Sequence, residues 1–295
     1  MKKNRQLLKI SIIIPVYNEE ACIVACLNSL ALQQEKPAEI IIIDDGSSDH
    51  TLSIVEEYIK ETKDVSNKLK IIFHLLRQKH AGPGVARNKG VEKSSGEVVV
   101  FVDADMTFDE QFLFYLTKPI EEDSTSGTFT KEEYVKNWNN VWARCWNYNE
   151  GLFDRRRIPK EYPAVSPVFR AIRKSEFLRV GGFDDIGFTD DWSLSRKLGY
   201  HATMASGAIC YHENPASLSQ VFVQSAWIGK NEFISGTWMR RIVSLWRYNY
   251  LSQLLGAFFT SIYCREPQFI LFSLVYSTGI MRGIIGSILG EQKSK

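Results

Sequence analysis

The sequence has little of the composition that marks disordered or strongly charged proteins. It holds 19 glycines and 9 prolines in 295 residues, and 44% of its residues are hydrophobic. This composition excludes collagen-like and low-complexity chains and predicts a folded protein of one or two domains. The formal net charge is only +2, so we expect no nucleic-acid binding over the whole surface.

Cysteine is also sparse, with 5 residues that show no Cys-x-x-Cys or zinc-ligand spacing. This argues against a disulfide framework and a zinc site. The basic N-terminus is followed by an apolar stretch that stops at Pro15 without a cleavage site of small residues, so no signal peptide is predicted. These absences favour a reducing, cytoplasmic setting.

What the chain does have is a series of short apolar runs rich in β-branched residues, at 10–14, 40–43, 71–75 and 98–102. Such continuous runs predict strands buried on both faces of a parallel sheet. Helix-period segments lie between them, and Asn18 and Asp49 are predicted to cap the first two helices. The alternation predicts an α/β fold with a mostly parallel sheet flanked by helices.

Polar clusters follow all four predicted strands. In an open parallel sheet, ligands bind beyond the carboxyl ends of the strands, where loop amides and helix N-termini converge. Asp45, which follows the second strand, is a candidate for a hydrogen bond to a nucleobase or ribose. Arg87 lies on the helix after the third strand and is interpreted as a ligand or a carboxylate clamp; the alternative is a bystander role.

Asp103 and Asp105 follow the fourth strand and provide two carboxylates one residue apart. Hard oxygen ligands in this arrangement can bind Mg²⁺ or Mn²⁺, which in turn can bridge a diphosphate. The alternative is a turn in which Asp105 only caps the next segment.

A second acidic pair, Asp190 and Asp191, opens a predicted helix. It complements the helix dipole, or it supplies a general base that is ionised near neutral pH. His212 follows a later predicted strand and is interpreted as a metal or diphosphate ligand, or as a hydrogen-bonded structural histidine.

Together these motifs resemble family 2 of the inverting glycosyltransferases, which share the GT-A fold. The matching segments are 12–20, 41–51, 84–90, 103–105 and 181–184, the last followed by Asp190-Asp191. The resemblance implies that the nucleoside is held by Pro15, Tyr17, Glu19 and Asp45. It implies that Asp105 and Asp103 hold the metal, Mg²⁺ or Mn²⁺, and the diphosphate, and that Asp191, or Asp190 beside it, is the base.

The implied reaction is metal-dependent hexosyl transfer from a UDP-, GDP- or dTDP-sugar to a glycan or polyprenyl-linked acceptor in surface glycan or glycolipid synthesis. Processive synthesis is not expected, because Ala226 stands where processive synthases have arginine. One alternative is a non-catalytic membrane protein that binds nucleotide sugars. A sugar nucleotidyltransferase is disfavoured, because no Gly-rich loop follows the first strand.

On this interpretation the GT-A domain covers 1–215, with a nucleotide-sugar half at about 1–105 and an acceptor half at about 106–215, and a helical region covers 216–295. Segments 248–264 and 267–281 lack charge but are of borderline length for spanning a membrane. Aromatic residues and arginines interleave before them, as in interfacial segments. We expect this region to bind membrane lipid at the cytoplasmic face, either peripherally or as a helical hairpin; the alternative is a helical pair that covers the sheet or forms a dimer.

Overall fold

The computed structural model describes residues 8–62, 70–185, 190–231 and 250–289. Within these ranges, only the backbone is described for Asp190, Asp191, Asn231, Tyr250 and Leu251. The chain forms two compact units. The first contains residues 8–62, 70–133, 160–185 and 190–211, and the second contains 134–159, 212–231 and 250–289.

The strands in chain order are β1 (Ile10–Val16), β2 (Glu39–Asp44), β3 (Ile72–Arg77), β4 (Val98–Phe101), β5 (Met106–Phe108), β6 (Gly127–Phe129), β7 (Glu133–Val135), β8 (Val165–Ser166), β9 (Ala171–Arg173), β10 (Ala202–Met204) and β11 (Cys210–His212). The helices are α1 (Ile23–Ala31), α2 (Thr51–Glu61), α3 (Pro83–Lys93), α4 (Phe112–Glu121), α5 (Val141–Asn149), α6 (Lys174–Arg179), α7 (Asp190–Leu198), α8 (Leu218–Asn231), α9 (Tyr250–Cys264) and α10 (Gln268–Ile288).

The first unit is built on an eight-stranded sheet with the order β3-β2-β1-β4-β9-β6-β10-β8. Strands β3, β2, β1 and β4 are parallel neighbours, and β9 pairs antiparallel with both β4 and β6. The α/β class and the largely parallel first half of the sheet are therefore confirmed.

Two apolar layers cover the faces of this sheet. Ile12 and Ile14 of β1 face a layer that includes Leu27 of α1 and Phe112 of α4, and Ile13 faces the opposite layer. Successive residues of a strand point to opposite faces, so a strand covered on both sides must be apolar throughout. This explains the run of isoleucines in β1.

Helix α3 lies especially close to the sheet, and Gly90 allows it. A Cβ atom at Gly90 would lie 2.5 Å from Ile13 Cγ2 and 2.8 Å from Ile43 Cδ1, which is closer than side chains approach each other. Arg87 lies three residues earlier on the same helix and faces the carboxyl end of β4 through its ion pair with Asp103.

The prediction that all four strands are buried on both faces was wrong for β3. Ile72 is 55% exposed, and the exposed positions of β3 include His74 and Arg77. Strand β3 is the first in the sheet order and has one neighbour, β2. An edge strand has less of its surface covered, and the apolar run alone did not show this.

The second unit has its own apolar core, formed by α5, α8, α9 and α10 around Trp146, Val221, Phe272, Tyr276 and Ile280. Helices α8 and α10 approach closely at two glycines. A Cβ at Gly279 would overlap Ser225 Oγ, and a Cβ at Gly283 would overlap the Ala226 carbonyl. A Gly-x-x-x-Gly spacing allows such close contact between helix backbones.

Within the described residues, α10 is the one helix that is long and apolar enough to cross a membrane, and 56% of its most apolar stretch is buried inside the structure. By itself this is weak evidence for a membrane span, since the core helix of a soluble protein has the same composition.

Glu39 is a buried carboxylate at the start of β2. Its Oε1 accepts hydrogen bonds from Ser11 Oγ at 2.6 Å and Ser95 Oγ at 2.7 Å, and its Oε2 lies 3.2 Å from His74 Nε2. Burial acts to raise the pKa of Glu39, but the hydrogen bonds from Ser11 and Ser95 and the nearby His74 outweigh it, so the pKa is lowered.

We predict that Glu39→Gln lowers the free energy of unfolding by about 2 kcal/mol. The substitution replaces the carboxylate by a neutral amide, so the hydrogen bonds from Ser11 and Ser95 are no longer charge-assisted. Urea denaturation at pH 7 measures the difference. The matched control is Glu97→Gln, which changes an exposed carboxylate at the same end of the sheet and leaves stability nearly unchanged.

The same pair of proteins should show a defined pH dependence. A lowered pKa in the folded state stabilises the protein above the pKa of the unfolded state, and this stabilisation is lost as the pH falls below about 4.3. The difference in the free energy of unfolding between wild type and Glu39→Gln should therefore become smaller at acidic pH. A difference that stays constant down to pH 3 would contradict this assignment.

Candidate active site

The carboxyl ends of β1, β2, β3 and β4 lie at one edge of the sheet, because these strands are parallel. The loops that follow them bind one another. The Asn18 side-chain oxygen accepts from Ser48 N at 2.8 Å, and Glu19 N donates to Thr51 Oγ1 at 2.8 Å. The polar clusters predicted from the sequence are thus brought together along this edge.

Asn18 does not cap α1, contrary to the prediction. Helix α1 begins at Ile23, with Cys22 at the capping position, and Asn18 adopts a φ of 57°. Asparagine tolerates this left-handed conformation, which aims its side chain at the loop after β2. Asp49 is not the capping residue of α2 either, because His50 occupies that position, but Asp49 Oδ1 accepts from Thr51 N, the first residue of the helix.

Asp45 is the centre of the hydrogen bonds that hold the loop after β3. Its Oδ1 accepts from Gln78 Nε2 at 2.7 Å and Ala81 N at 2.9 Å. Its Oδ2 accepts from Gly82 N at 2.8 Å and lies 3.0 Å from His80 Nδ1. A carboxylate has about four lone-pair positions, so these four contacts match its capacity. Asp45 therefore anchors the loop after β3.

Tyr17 lies directly on the ring of His80, with ring centroids 4.0 Å apart and an angle of 19° between the planes. His80 was not singled out from the sequence, although it lies within the polar cluster after the third strand. Its Nε2 is buried and has no hydrogen-bond partner among the described residues. A single histidine in a loop carries no local signal that would have identified it.

Asp103 is held by two arginines. Its Oδ1 accepts from Arg87 Nη2 at 2.8 Å, and its Oδ2 accepts from Arg170 Nη1 at 3.1 Å. Arg87 also lies over the ring of Phe183, 5.8 Å from its centroid. Arg87 is therefore paired with a carboxylate in this structure.

Arg170 also donates to Glu133 Oε2 at 3.3 Å and is 15% exposed. Burial acts to lower the pKa of Arg170, but the carboxylates of Asp103 and Glu133 outweigh it and raise the pKa. Arg170 was missed by sequence reasoning, because it lies 67 residues from Asp103 and belongs to no recognisable motif.

Asp105 is half-buried in the short segment between β4 and β5. Burial, followed by the negative charges of Asp105 and Asp103, raises the pKa of the Cys26 thiol. No group of three His, Cys, Asp or Glu side chains suited to a metal occurs among the residues with described side chains. Mg²⁺ commonly takes one or two protein carboxylates and completes its shell with substrate phosphates and water, so the carboxylates here fit a cation that binds together with a diphosphate.

The other predicted residues lie in β1, in the loop that follows it, in α7 and in β11. Pro15 is half-buried in β1, and Glu19 follows in the loop before α1. Asp190 and Asp191 begin α7 as predicted, but their side chains lie outside the described residues. His212 ends β11 and belongs to the second unit, where its carbonyl accepts from Lys136 N at 2.9 Å. Its role as a metal ligand stays a prediction.

The sequence pattern of the family described as "Glycosyl transferase family 2" matches residues 11–181, more than half of the chain. The chain therefore belongs to glycosyltransferase family 2.

Similar proteins include a probable glycosyltransferase, YdaM, of Bacillus subtilis, 26% identical over 87% of this chain and 63% of the relative. They also include a poly-β-1,6-N-acetyl-D-glucosamine synthase of Staphylococcus aureus, 28% identical over 90% of this chain and 60% of the relative. The chain thus spans less than two thirds of the length of these relatives.

Among solved structures, the fold resembles the mannosyltransferase PcManGT of Pyrobaculum calidifontis, in complex with GDP-Man and Mn²⁺. The TM-score is 0.60 and the identity 15%, over 97% of this chain and 88% of that chain. It also resembles S. aureus TarS 1-349 in complex with UDP-GlcNAc, with a TM-score of 0.53 and 18% identity, over 96% and 92% of the two chains. The predicted GT-A-like fold is thus confirmed.

We predict that Asp45→Asn lowers the free energy of unfolding by about 2 kcal/mol, because the amide nitrogen cannot accept from the N–H groups now bound there. Hydrogen exchange at the amides of Ala81 and Gly82 should become faster. The control is Asp44→Asn, whose carboxylate accepts from Ser47 N. Unchanged exchange at residues 81 and 82 in Asp45→Asn would show that Asp45 does not anchor this loop.

Proposed function

We propose that this chain transfers a sugar from a nucleoside diphosphate sugar to a hydroxyl group of a glycan or lipid-linked acceptor, with inversion at the anomeric carbon. The observation that carries the proposal is the meeting of Tyr17, Asp45 and Asp103 at the carboxyl edge of the parallel strands. This is where open α/β sheets bind nucleotides. Family membership and the fold support the same activity.

Each group at this edge has a proposed part in donor binding. Tyr17 offers an aromatic face to the nucleobase, and Pro15, Glu19 and Asp45 line the nucleoside side. Arg87 and Asp103 contact the diphosphate side. The nucleotides bound in the similar structures are of the UDP and GDP classes, so the donor is proposed as a UDP-, GDP- or dTDP-sugar.

Asp105, with Asp103, is proposed to hold Mg²⁺ or Mn²⁺. Mn²⁺ is present in the PcManGT structure and in that of GalNAc-T7. A cation held there would neutralise the diphosphate as it leaves.

The base is proposed to be Asp191, with Asp190 beside it. It accepts the proton of the acceptor hydroxyl as the acceptor oxygen forms a bond to the anomeric carbon and the bond from that carbon to the diphosphate breaks. A single displacement of this kind inverts the configuration. The position of Asp191 in the first turn of α7 favours the ionised carboxylate that a base requires.

We predict that Asp191→Asn keeps donor binding but lowers transfer by about 100-fold or more, since general-base catalysis contributes about that much. Release of nucleoside diphosphate from a panel of UDP-, GDP- and dTDP-sugars with Mn²⁺ measures transfer, and calorimetry measures binding. The matched control is Asp185→Asn, an exposed aspartate shortly before α7. Full activity of Asp191→Asn would remove the assignment of the base.

A second candidate is a protein that binds nucleotide sugars without turning them over. The same panel separates the two functions: a wild-type protein that binds a donor but releases no diphosphate, with any acceptor supplied, would favour the binding protein.

Asp105→Ala should abolish Mn²⁺-dependent donor binding whichever of the two functions the protein has, whereas Glu110→Ala, an exposed neighbour, should not.

We further propose that the second unit rests on the cytoplasmic face of the membrane. Helix α9 has no charged residue and presents an exposed apolar face formed by Leu255, Phe258, Phe259, Ile262 and Tyr263. These residues recur at helical spacing, while Ala257 and Ser261 are buried on the other side. Such a face suits the boundary between headgroups and acyl chains, with the helix lying in the membrane plane.

We predict that Phe259→Glu combined with Ile262→Glu releases the protein from vesicles that contain anionic lipid, because charged side chains are costly in the acyl region. Flotation on a density gradient measures binding. The control is Leu32→Glu, an equally exposed leucine of the first unit. Undiminished flotation of the double variant would contradict the proposed membrane face.

A further inference from the structure

The carboxylate of Asp103 is fixed from two sides, and the two arginines that fix it have different surroundings. Arg87 lies on α3, in the second turn of a helix that begins at Pro83. Arg170 comes from the opposite side of β4, immediately before β9. Its backbone is held in the sheet, since Arg170 N donates to Thr128 O and Arg170 O accepts from Phe101 N, both at 2.8 Å.

Arg170 is in turn fixed by Glu133, a buried carboxylate at the start of β7. The guanidinium therefore bridges two carboxylates, with Nη1 on Asp103 and Nη2 on Glu133. A planar guanidinium with several donors can hold two acceptors in a fixed geometry, whereas a lysine ammonium on a flexible stem cannot do so equally well. The two guanidinium groups of Arg87 and Arg170 thus face the two carboxylates of Asp103 and Glu133.

We propose that Arg170 is a positioning residue of the donor site: supported by Glu133, it orients the Asp103 carboxylate for the diphosphate end of the nucleotide sugar. This inference rests on the proposed function. Arg170 acts through Asp103 and does not contact the reacting atoms.

The test is a double-mutant cycle on nucleotide binding. The probe is whichever of UDP, GDP and dTDP, each with Mn²⁺, raises the melting temperature of the wild-type protein most, and its Kd is measured by calorimetry. Arg170→Lys is expected to raise Kd by about 10-fold, equivalent to the loss of one charge-assisted hydrogen bond. In an Asp103→Asn background the same change should have little further effect, because the residue through which Arg170 acts is already altered.

Arg173→Lys is the matched control, since Arg173 belongs to the adjoining strand β9 but pairs with the exposed Asp123 and with the Ile120 carbonyl. It should leave Kd unchanged. Glu133→Gln removes the charge of the carboxylate that supports Arg170, and its effect on Kd is measured in the wild-type and Asp103→Asn backgrounds in the same way. This variant replaces Arg170→Lys if Arg170→Lys does not fold. With an acceptor present, the variants should change the KM for the donor more than kcat.

Two results would overturn the inference. One is an unchanged Kd in both Arg170→Lys and Glu133→Gln, and the other is the same fold-change in the wild-type and Asp103→Asn backgrounds. If no nucleotide binds the wild-type protein, the proposed function itself fails. The two failures are therefore distinguishable.

Discussion

Parallel pairing of β1 with β2 on one side and β4 on the other is the constraint on which the candidate site depends. In this register Val16 lies opposite Asp44, and Ile13 lies opposite Phe101, so the three strands end at the same edge. Parallel neighbours cannot be joined by tight hairpins, and each connection must cross back over a face of the sheet. Polar residues far apart in the sequence are thereby gathered without any of them contributing to the apolar core.

The parts of the fold that follow from local composition could be predicted from the sequence. The isoleucine and valine runs identify β1, β2 and β4, and the residues after them identify the loops of the site. Helix α7 was also placed correctly. The exposure of β3 could not be predicted, because it depends on the number of neighbouring strands. Nor could the conformation of Asn18, where contacts with the loop after β2 override the local preference for a helix cap.

The site itself was predicted as a set of residues rather than as a network. Asp45 was expected to face a ligand, and its protein partners Gln78, Ala81 and Gly82 come from a loop more than 30 residues later. Arg170 and Glu133 carry no pattern of their own. The apolar composition of α10 likewise does not reveal that much of the helix is buried in the second unit. In each case the missing information was the identity of a distant neighbour.

The absence of a side chain at Gly90 has an effect beyond core packing. It sets how near the axis of α3 lies to the sheet, and Arg87 is carried by that helix. A single added methyl group would push the helix outwards, and the guanidinium would have to stretch to stay on Asp103. The absence of a side chain at Gly90 thus determines how far the Arg87 guanidinium lies from Asp103. An alanine at this position would weaken the ion pair although it contacts neither charged group.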